Sequence, residues 1–553
     1  AAKLDVGTLK VENGTLELKN NTANHATVEA DFITLGKEQA QGNRAGGATA
    51  VVSLASGSTL GKVSDAGGTT LKLLGGSEIK MVGSRAAVDG VSIKAADLQI
   101  SGGAITLGDG TKADKVTITI SDGSMTDGSI AIAKQAEATI SAQKPNGSNN
   151  PVSFDVTGGN VEVSGTLKVG QNVAMSVTGD AKLYTKTTEA KAGIEIASGG
   201  VFKTSKEALL GLTTGKNSAG ADYVTGAVAD KGGVNIASGG VLYITGDNVS
   251  LKGLTFASGG ALTAKSITST DTAGDSTLKF DSLVVDAKVA NSDKFDVDVL
   301  GTLTLGAGEY AGGASNKSFN QINAKSLAFN STDAYDLAEK VVLASADSDG
   351  KAAAGTISGN AKLSETLELT QGNYTQEGTL TFADNSKQLN IKAAGTVDQT
   401  SLDFNGTLEL DRTKTSTKIS VSGAGTALDS GVASLDLTDA TINFVDASGT
   451  NAVNIEALDN ATVKVSDQQL NKIFFADGST KGVIFDVNKG KLLIDGNVEL
   501  TASQISNNTS TSGIKLQSGS VVVDGELVLR NADVISLGNG TADNATLKAA
   551  SLD

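Results

Sequence analysis

Short alternating strands opened by Gly-Thr-Leu return along the whole chain, and no other feature narrows the fold so far. Gly7-Thr8-Leu9-Lys10-Val11 is followed at once by Gly14-Thr15-Leu16-Glu17-Leu18, and the unit recurs at 165–169, 301–305, 378–382 and 406–410. Gly525-Glu526-Leu527-Val528-Leu529 is a close variant. A second unit, apolar-Ala-Ser-Gly-Gly-apolar, stands at 196–201, 236–241 and 256–261, with looser copies at 54–58 and 516–520. It returns after roughly 20 residues between Ile236 and Phe256, and after twice that distance between Ile196 and Ile236, which reads as two units. A period of this size, built from short strands and Gly/Asn turns, is the mark of one coil of a β-solenoid.

Alternation has period 2, so Leu9 and Val11 face one side and Thr8 and Lys10 the other. Gly and Asn supply the positive φ that corners require. A narrow interior accepts small apolar side chains, in keeping with 4% aromatic residues and no Trp. The expected fold is therefore all-β, a single elongated β-solenoid over residues 1–553. At one coil per ~20 residues it would hold roughly 25 coils and extend about 120 Å. A string of β-sandwich domains is the alternative; such strings show Pro-marked linkers, and the only prolines are Pro145 and Pro151.

Short helical and loop insertions interrupt the pattern. Residues 332–346 carry helical spacing through Ala334, Ala338, Val341 and Val342, and 466–478 read as a capped short helix ended by Gly478. Residues 203–212 read as another helical turn, opening an insertion that runs to 233. Residues 37–47, 144–150 and 216–233 are polar, Gly-rich loops of the kind that carry contacts in solenoid proteins.

Composition removes several classes. Lys and Arg number 45 against 61 Asp and Glu, a net charge of −16, and no basic run occurs, which argues against a nucleic-acid partner. No apolar stretch approaches the ~20 residues of a membrane span. Cysteine is absent, and the chain opens Ala1-Ala2-Lys3-Leu4 with neither Met nor apolar leader, so it reads as a processed or excised segment of an exported protein.

The Gly-Thr-Leu strands and Ser-Gly-Gly turns resemble the passenger domains of bacterial autotransporters, above all the self-associating adhesins, and also the filamentous-haemagglutinin type. The resemblance is one of repeat style over nearly the whole chain. It implies a right-handed parallel β-helix displayed outside an outer membrane and acting in attachment or aggregation. No β-barrel translocator pattern stands at the C-terminus.

Chemistry finds little purchase. His25, in a polar stretch, is the only imidazole and no Gly-Asp-Ser-Gly is present, so serine-protease catalysis is not expected; with no Cys, cysteine catalysis is impossible. Zinc and iron sites lack ligands, whereas calcium needs only oxygens. The best acidic groups for it are Asp347 with Asp349, and Asp293 with Asp296 and Asp298, all of which equally suit exposed turns and strand edges. Paired acids of a polysaccharide hydrolase could be Asp281 with Asp286 or Asp436 with Asp439, although sugar platforms also want aromatic faces and only six Tyr are present. No catalytic residue and no cofactor is assigned. The expected function is non-enzymatic: adhesion to a cell-surface ligand, or self-association, through the flank and loops of the β-helix at a bacterial surface. A self-assembling subunit of a surface layer or extracellular filament is the alternative.

Overall fold

The computed structural model describes residues 2–552 apart from 20–24, 38–49, 65, 82–89, 109–112, 134, 144–149, 186–192, 207–233, 252–254, 258–265, 270–275, 286–294, 307–318, 331–333, 383–387, 394–398, 411–417, 425–431, 445–450, 471–481, 502, 508–512, 531–535 and 539–543. The described residues are almost entirely strand, and nearly all of the pairing is parallel. The chain divides into two compact units.

The first unit comprises Ala1–Val249, Gly253–Phe280 and Val289–Asp296. Its strands form three parallel ladders. One passes through Thr59–Leu60, Val91–Ala95, Lys115–Ile120, Glu137–Ala142, Thr166–Val169, Ile194–Ile196, Val234–Ile236 and Ser266–Ser269. A second passes through Thr70–Leu74, the first parts of Asp97–Leu107 and Gly123–Ile132, then Val152–Val156, Val173–Val177, Val201–Ser205, Val241–Thr245 and Ser276–Phe280. The third joins Gly14–Leu18, Ala50–Leu54, Ser77–Met81, the second parts of Asp97–Leu107 and Gly123–Ile132, Asn160–Val163 and Lys182–Thr185. From Val91 to Thr185 the chain visits first, second and third ladder in turn and then returns to the first.

Three parallel ladders also make up the second unit, Ser250–Lys252, Asp281–Lys288 and Val297–Asp553. One begins at Gln321–Ala324 and Lys340–Ala344 and continues to Gly513–Leu516. A longer one runs from Leu283–Val285 through Gln399–Phe404, Val432–Asp436 and Thr462–Ser466 to Ala545–Leu552. The short one holds Tyr335–Leu337, Ala361–Leu363, Thr379–Phe382, Thr407–Leu410 and Thr441–Phe444.

In-register parallel pairing stacks equivalent positions, so alternation becomes columns. In the first unit Leu60, Ile93, Ile118, Ile140, Val169, Ile196 and Ile236 follow one another on successive rungs, all fully buried. Ile322, Val341, Leu367, Leu389, Ile419, Ile455, Phe485 and Ile514 do the same in the second. Each such side chain contributes about 1.5–3 kcal/mol by leaving water. Aromatic rings enter where a neighbour leaves room: Gly123 is the register partner of Phe154, and a Cβ there would lie 2.8 Å from its ring.

Corners stack as well. The Ser-Gly-Gly turns at 197–200 and 237–240 lie on consecutive rungs, the Gly199 amide donating to the Gly239 carbonyl at 2.8 Å. One rung earlier the same left-handed position is Asn172 (φ 60°), matched by Gly199 (69°) and Gly239 (70°). A Gly-Thr-Leu pair behaves likewise: Thr379 is the partner of Thr407, and a Cβ on Gly406 would lie 2.8 Å from the Gly378 nitrogen.

The expected coil of ~20 residues is corrected here. Ile194–Ile196 pairs directly with Val234–Ile236, so the whole stretch from Ile196 to Ile236 is one rung step. Thr255–Ala257 does not follow Val234–Ile236; Ser266–Ser269 lies between them. Steps vary widely in length, and the one from Gln321 to Lys340 takes less than half the chain used from Ile196 to Ile236. The repeated motifs mark corners and strand starts, and the chain between them varies freely, so the described residues form fewer rungs than the period implied.

The helical insertion expected at 332–346 is not found over its described part, 334–346, either. Tyr335–Leu337 and Lys340–Ala344 are ladder strands burying Tyr335, Leu337, Val341 and Leu343. Apolar neighbours on adjacent rungs impose period 2 on a segment whose isolated pattern also fits a helix. Residues 203–205 likewise close the strand Val201–Ser205, and helical backbone starts only at Lys206. The helix expected at 466 does begin at Asp467, and Ser466 and Gln469 cap it reciprocally through side chain and amide; its continuation lies outside the described residues. The loops at 38–47, 144–149 and 216–233 also lie outside them.

Some inward columns hold a polar side chain. Thr204, fully buried between Val177 and Ile244, has a hydroxyl with no hydrogen-bond partner. Thr204→Val should stabilise the protein by about 1 kcal/mol, whereas Gly406→Ala should destabilise it by roughly 1–3 kcal/mol through overpacking. Urea unfolding midpoints of the two variants measure both signs.

Candidate binding surface

The outward half of each strand is stacked by the same register, so polar residues form columns one rung apart, about 4.8 Å. Several lysines in these columns are neutralised by carboxylates on their own or neighbouring rungs. Lys168 sits 3.1 Å from Glu137 and 3.3 Å from Glu195; Lys418 meets Glu456 at 2.6 Å and Lys515 meets Asp486 at 2.9 Å.

His25 lies exposed just ahead of the strand Thr27–Leu35. Asp347 is committed to its own turn, where its carboxylate accepts the amides of Asp349 and Lys351, both at 2.9 Å. Asp296 and Asp298 point outward from the strand Phe295–Val299, and Asp298 accepts the Asn323 side-chain amide at 2.7 Å. Asp293 and Asp286 lie outside the described residues, so the pair Asp281 with Asp286 is not seen together. Among the described residues no three His, Cys, Asp or Glu side chains come together as a metal site.

Asp436 and Asp439 do share a neighbourhood. Asp403 and Asp436 are register partners on the outward face of the second unit's longest ladder, with Lys464 on the next rung. Partial burial and then the charges of Asp436 and Asp439 push the Asp403 carboxyl above its ordinary range. Burial opposes ionisation of Asp436 too, but the Thr438 hydroxyl and amide and the Lys464 ammonium outweigh it and hold that carboxyl low. The Lys464 ammonium lies 3.0 Å from Asp436 and is held above the usual lysine range by it. Two acids with opposed proton affinities are thus set side by side by a single rung step, Asp403 to Asp436, that no local pattern announces.

A different group escaped the sequence reading entirely. Lys203, Tyr243 and Lys279 occupy one outward column on three successive rungs of the first unit. The two ammonium groups lie 4.9 and 5.4 Å from the centre of the Tyr243 ring, one from the rung on each side. The other outward residues of those strands are Val201, Ser205, Val241, Thr245 and Thr277, none of them acidic. Among the described residues neither lysine makes an ion pair. The only local signal is the alternating strand itself; the juxtaposition requires two long register steps, Lys203 to Tyr243 and Tyr243 to Lys279.

No family model, curated protein or solved structure matches the chain. No helix among the described residues is long and apolar enough to cross a membrane.

Replacing Lys464 by Met removes the cation that lowers both acids, so the carboxyl pKa values of Asp403 and Asp436 should both rise in NMR titrations. The sign carries into stability. Asp436, depressed in the folded state, contributes stability that is present above its ordinary pKa and is lost as pH falls through the folded value. K464M should therefore lose part of that contribution.

Proposed function

We propose that the parallel ladders wind as a right-handed β-helix displayed outside a bacterial cell, and that the protein acts there without catalysis, as an adhesin or self-association protein. The observation that carries this reading is the in-register stacking of outward polar residues into flat columns, repeated on ladder after ladder in both units. Such a face binds by area: many Ser, Thr, Asn and Lys side chains each make a weak contact, and the sum holds two surfaces together. The three-ladder visiting order supports winding, because parallel strands need a crossover and the next two ladders provide it. Absence of cysteine agrees with export of an unfolded chain, and stability then rests on the backbone ladders and their aliphatic columns.

The site chemistry fits the same reading. Asp347 is spent on a turn, and several lysines of the outward columns are spent on neighbouring carboxylates. These pairs give the surface a mixed, salt-sensitive character suited to reversible contact.

Beads coated with the purified protein should clump, clumping should weaken as salt rises, and free protein should inhibit it. Release of new reducing ends from polysaccharides would contradict the non-enzymatic reading. Filaments or sheets of regular repeat in electron micrographs would replace it with a structural subunit.

A further inference from the structure

We infer that Lys203, Tyr243 and Lys279 form a binding site for an acidic polysaccharide, one whose carboxylates fall on alternate sugars. Three observations converge on this column. It holds two lysines that lack a carboxylate partner among the described residues, two rungs apart in one column of a chain of net charge −16. Unpaired cations kept in an acidic protein are free to receive an anion from outside. Both ammonium groups are also placed, because each lies against the Tyr243 ring, and the attraction of a cation to an aromatic face limits their wandering. Positioned charges lose less freedom on binding than loose ones.

Spacing narrows the ligand class. The two lysines are two rungs apart, roughly 10 Å along the column. An extended polysaccharide with one uronate in every second sugar repeats on that scale, and so could set consecutive carboxylates against the two ammonium groups. Between them the Tyr243 phenol and the flanking aliphatic and hydroxyl surface of Val201, Val241, Ser205 and Thr245 face the intervening neutral sugar. Sugars present both apolar C–H faces and hydroxyls, and that strip offers partners for each. Nucleic acid is a poorer occupant: its phosphates are closely spaced and need a broad basic field, whereas this chain is acidic and offers two discrete charges.

The site names a ligand for the adhesive surface proposed above. It takes its setting from that reading, not its chemistry, since saccharide binding and bead clumping are read out separately. The test is titration of the full chain with hyaluronate at low salt, beside neutral dextran, dextran sulfate and double-stranded DNA. Hyaluronate should bind, and dextran and DNA should not. The variant K203Q/K279Q should weaken hyaluronate binding about tenfold, as the loss of two partly exposed ion pairs implies. Tyr243→Leu should weaken it less while flattening its salt dependence little, because the charges remain. Circular dichroism and the urea midpoint of each variant establish that the fold is kept; both substitutions are outward and should leave them unchanged. Hyaluronate binding undiminished in K203Q/K279Q would overturn the proposal, as would no binding by the parent chain. Equal binding of DNA, dextran sulfate and hyaluronate would reduce the site to unspecific charge and overturn it too. Clumping that survives in K203Q/K279Q with hyaluronate binding lost would leave the adhesive reading standing and assign this column to the saccharide alone.

Discussion

In-register parallel hydrogen bonding between one strand and the next rung is the constraint from which the other features follow. It converts every position in a strand into a column. Inward columns must be apolar and of similar size, hence runs such as Ile93, Ile118 and Ile140. Corner columns must leave room for the neighbouring backbone, hence Gly378 and Gly406, and must reach left-handed φ, hence Asn172, Gly199 and Gly239. Outward columns bring together residues far apart in the chain, and there like charges repel and unlike charges pair.

Period-2 alternation and corner chemistry are local, and both were legible. Leu9 and Val11 are half-buried while Thr8 and Lys10 are exposed, as alternation required. The Ser-Gly-Gly unit is a stacked corner, as its composition suggested, and the Ser466 cap opens a helix at the expected residue. Rung length was not legible. A ladder fixes which residues pair but places no limit on the chain between corners, so the stretch from Ile196 to Ile236 resembled two short coils and is one long step. Residues 332–346 failed for a related reason: Val341 fits a helical stripe alone, but it lies between Ile322 and Leu367, and those neighbours decide.

Sites suffer more than folds from this illegibility. Asp347 and Asp298, singled out by proximity in sequence, are spent on a turn and on a strand face, while Asp403 joins Asp436 and Asp439 from a full rung away. Tyr243 looked like one of six scattered tyrosines. Register alone places it between Lys203 and Lys279, while Tyr335 and Tyr374 are buried in the second unit. Function in such an architecture is a property of columns, and a column is invisible until the register is known.

Register is therefore the quantity to measure. The chain has no cysteine, so pairs of spin labels can be attached at will. Ser92, Glu195 and Asn235 share one outward column of the first unit, in that order, and Thr268 is the register partner of Asn235 on the next rung. Glu195 to Asn235 and Asn235 to Thr268 are single rung steps. With one label at Ser92 and the second moved along the column, dipolar spectroscopy should give separations that grow by about 4.8 Å per step, whatever the length of chain between. An increment from Glu195 to Asn235 near twice that value would mean an additional rung between them and would contradict the account.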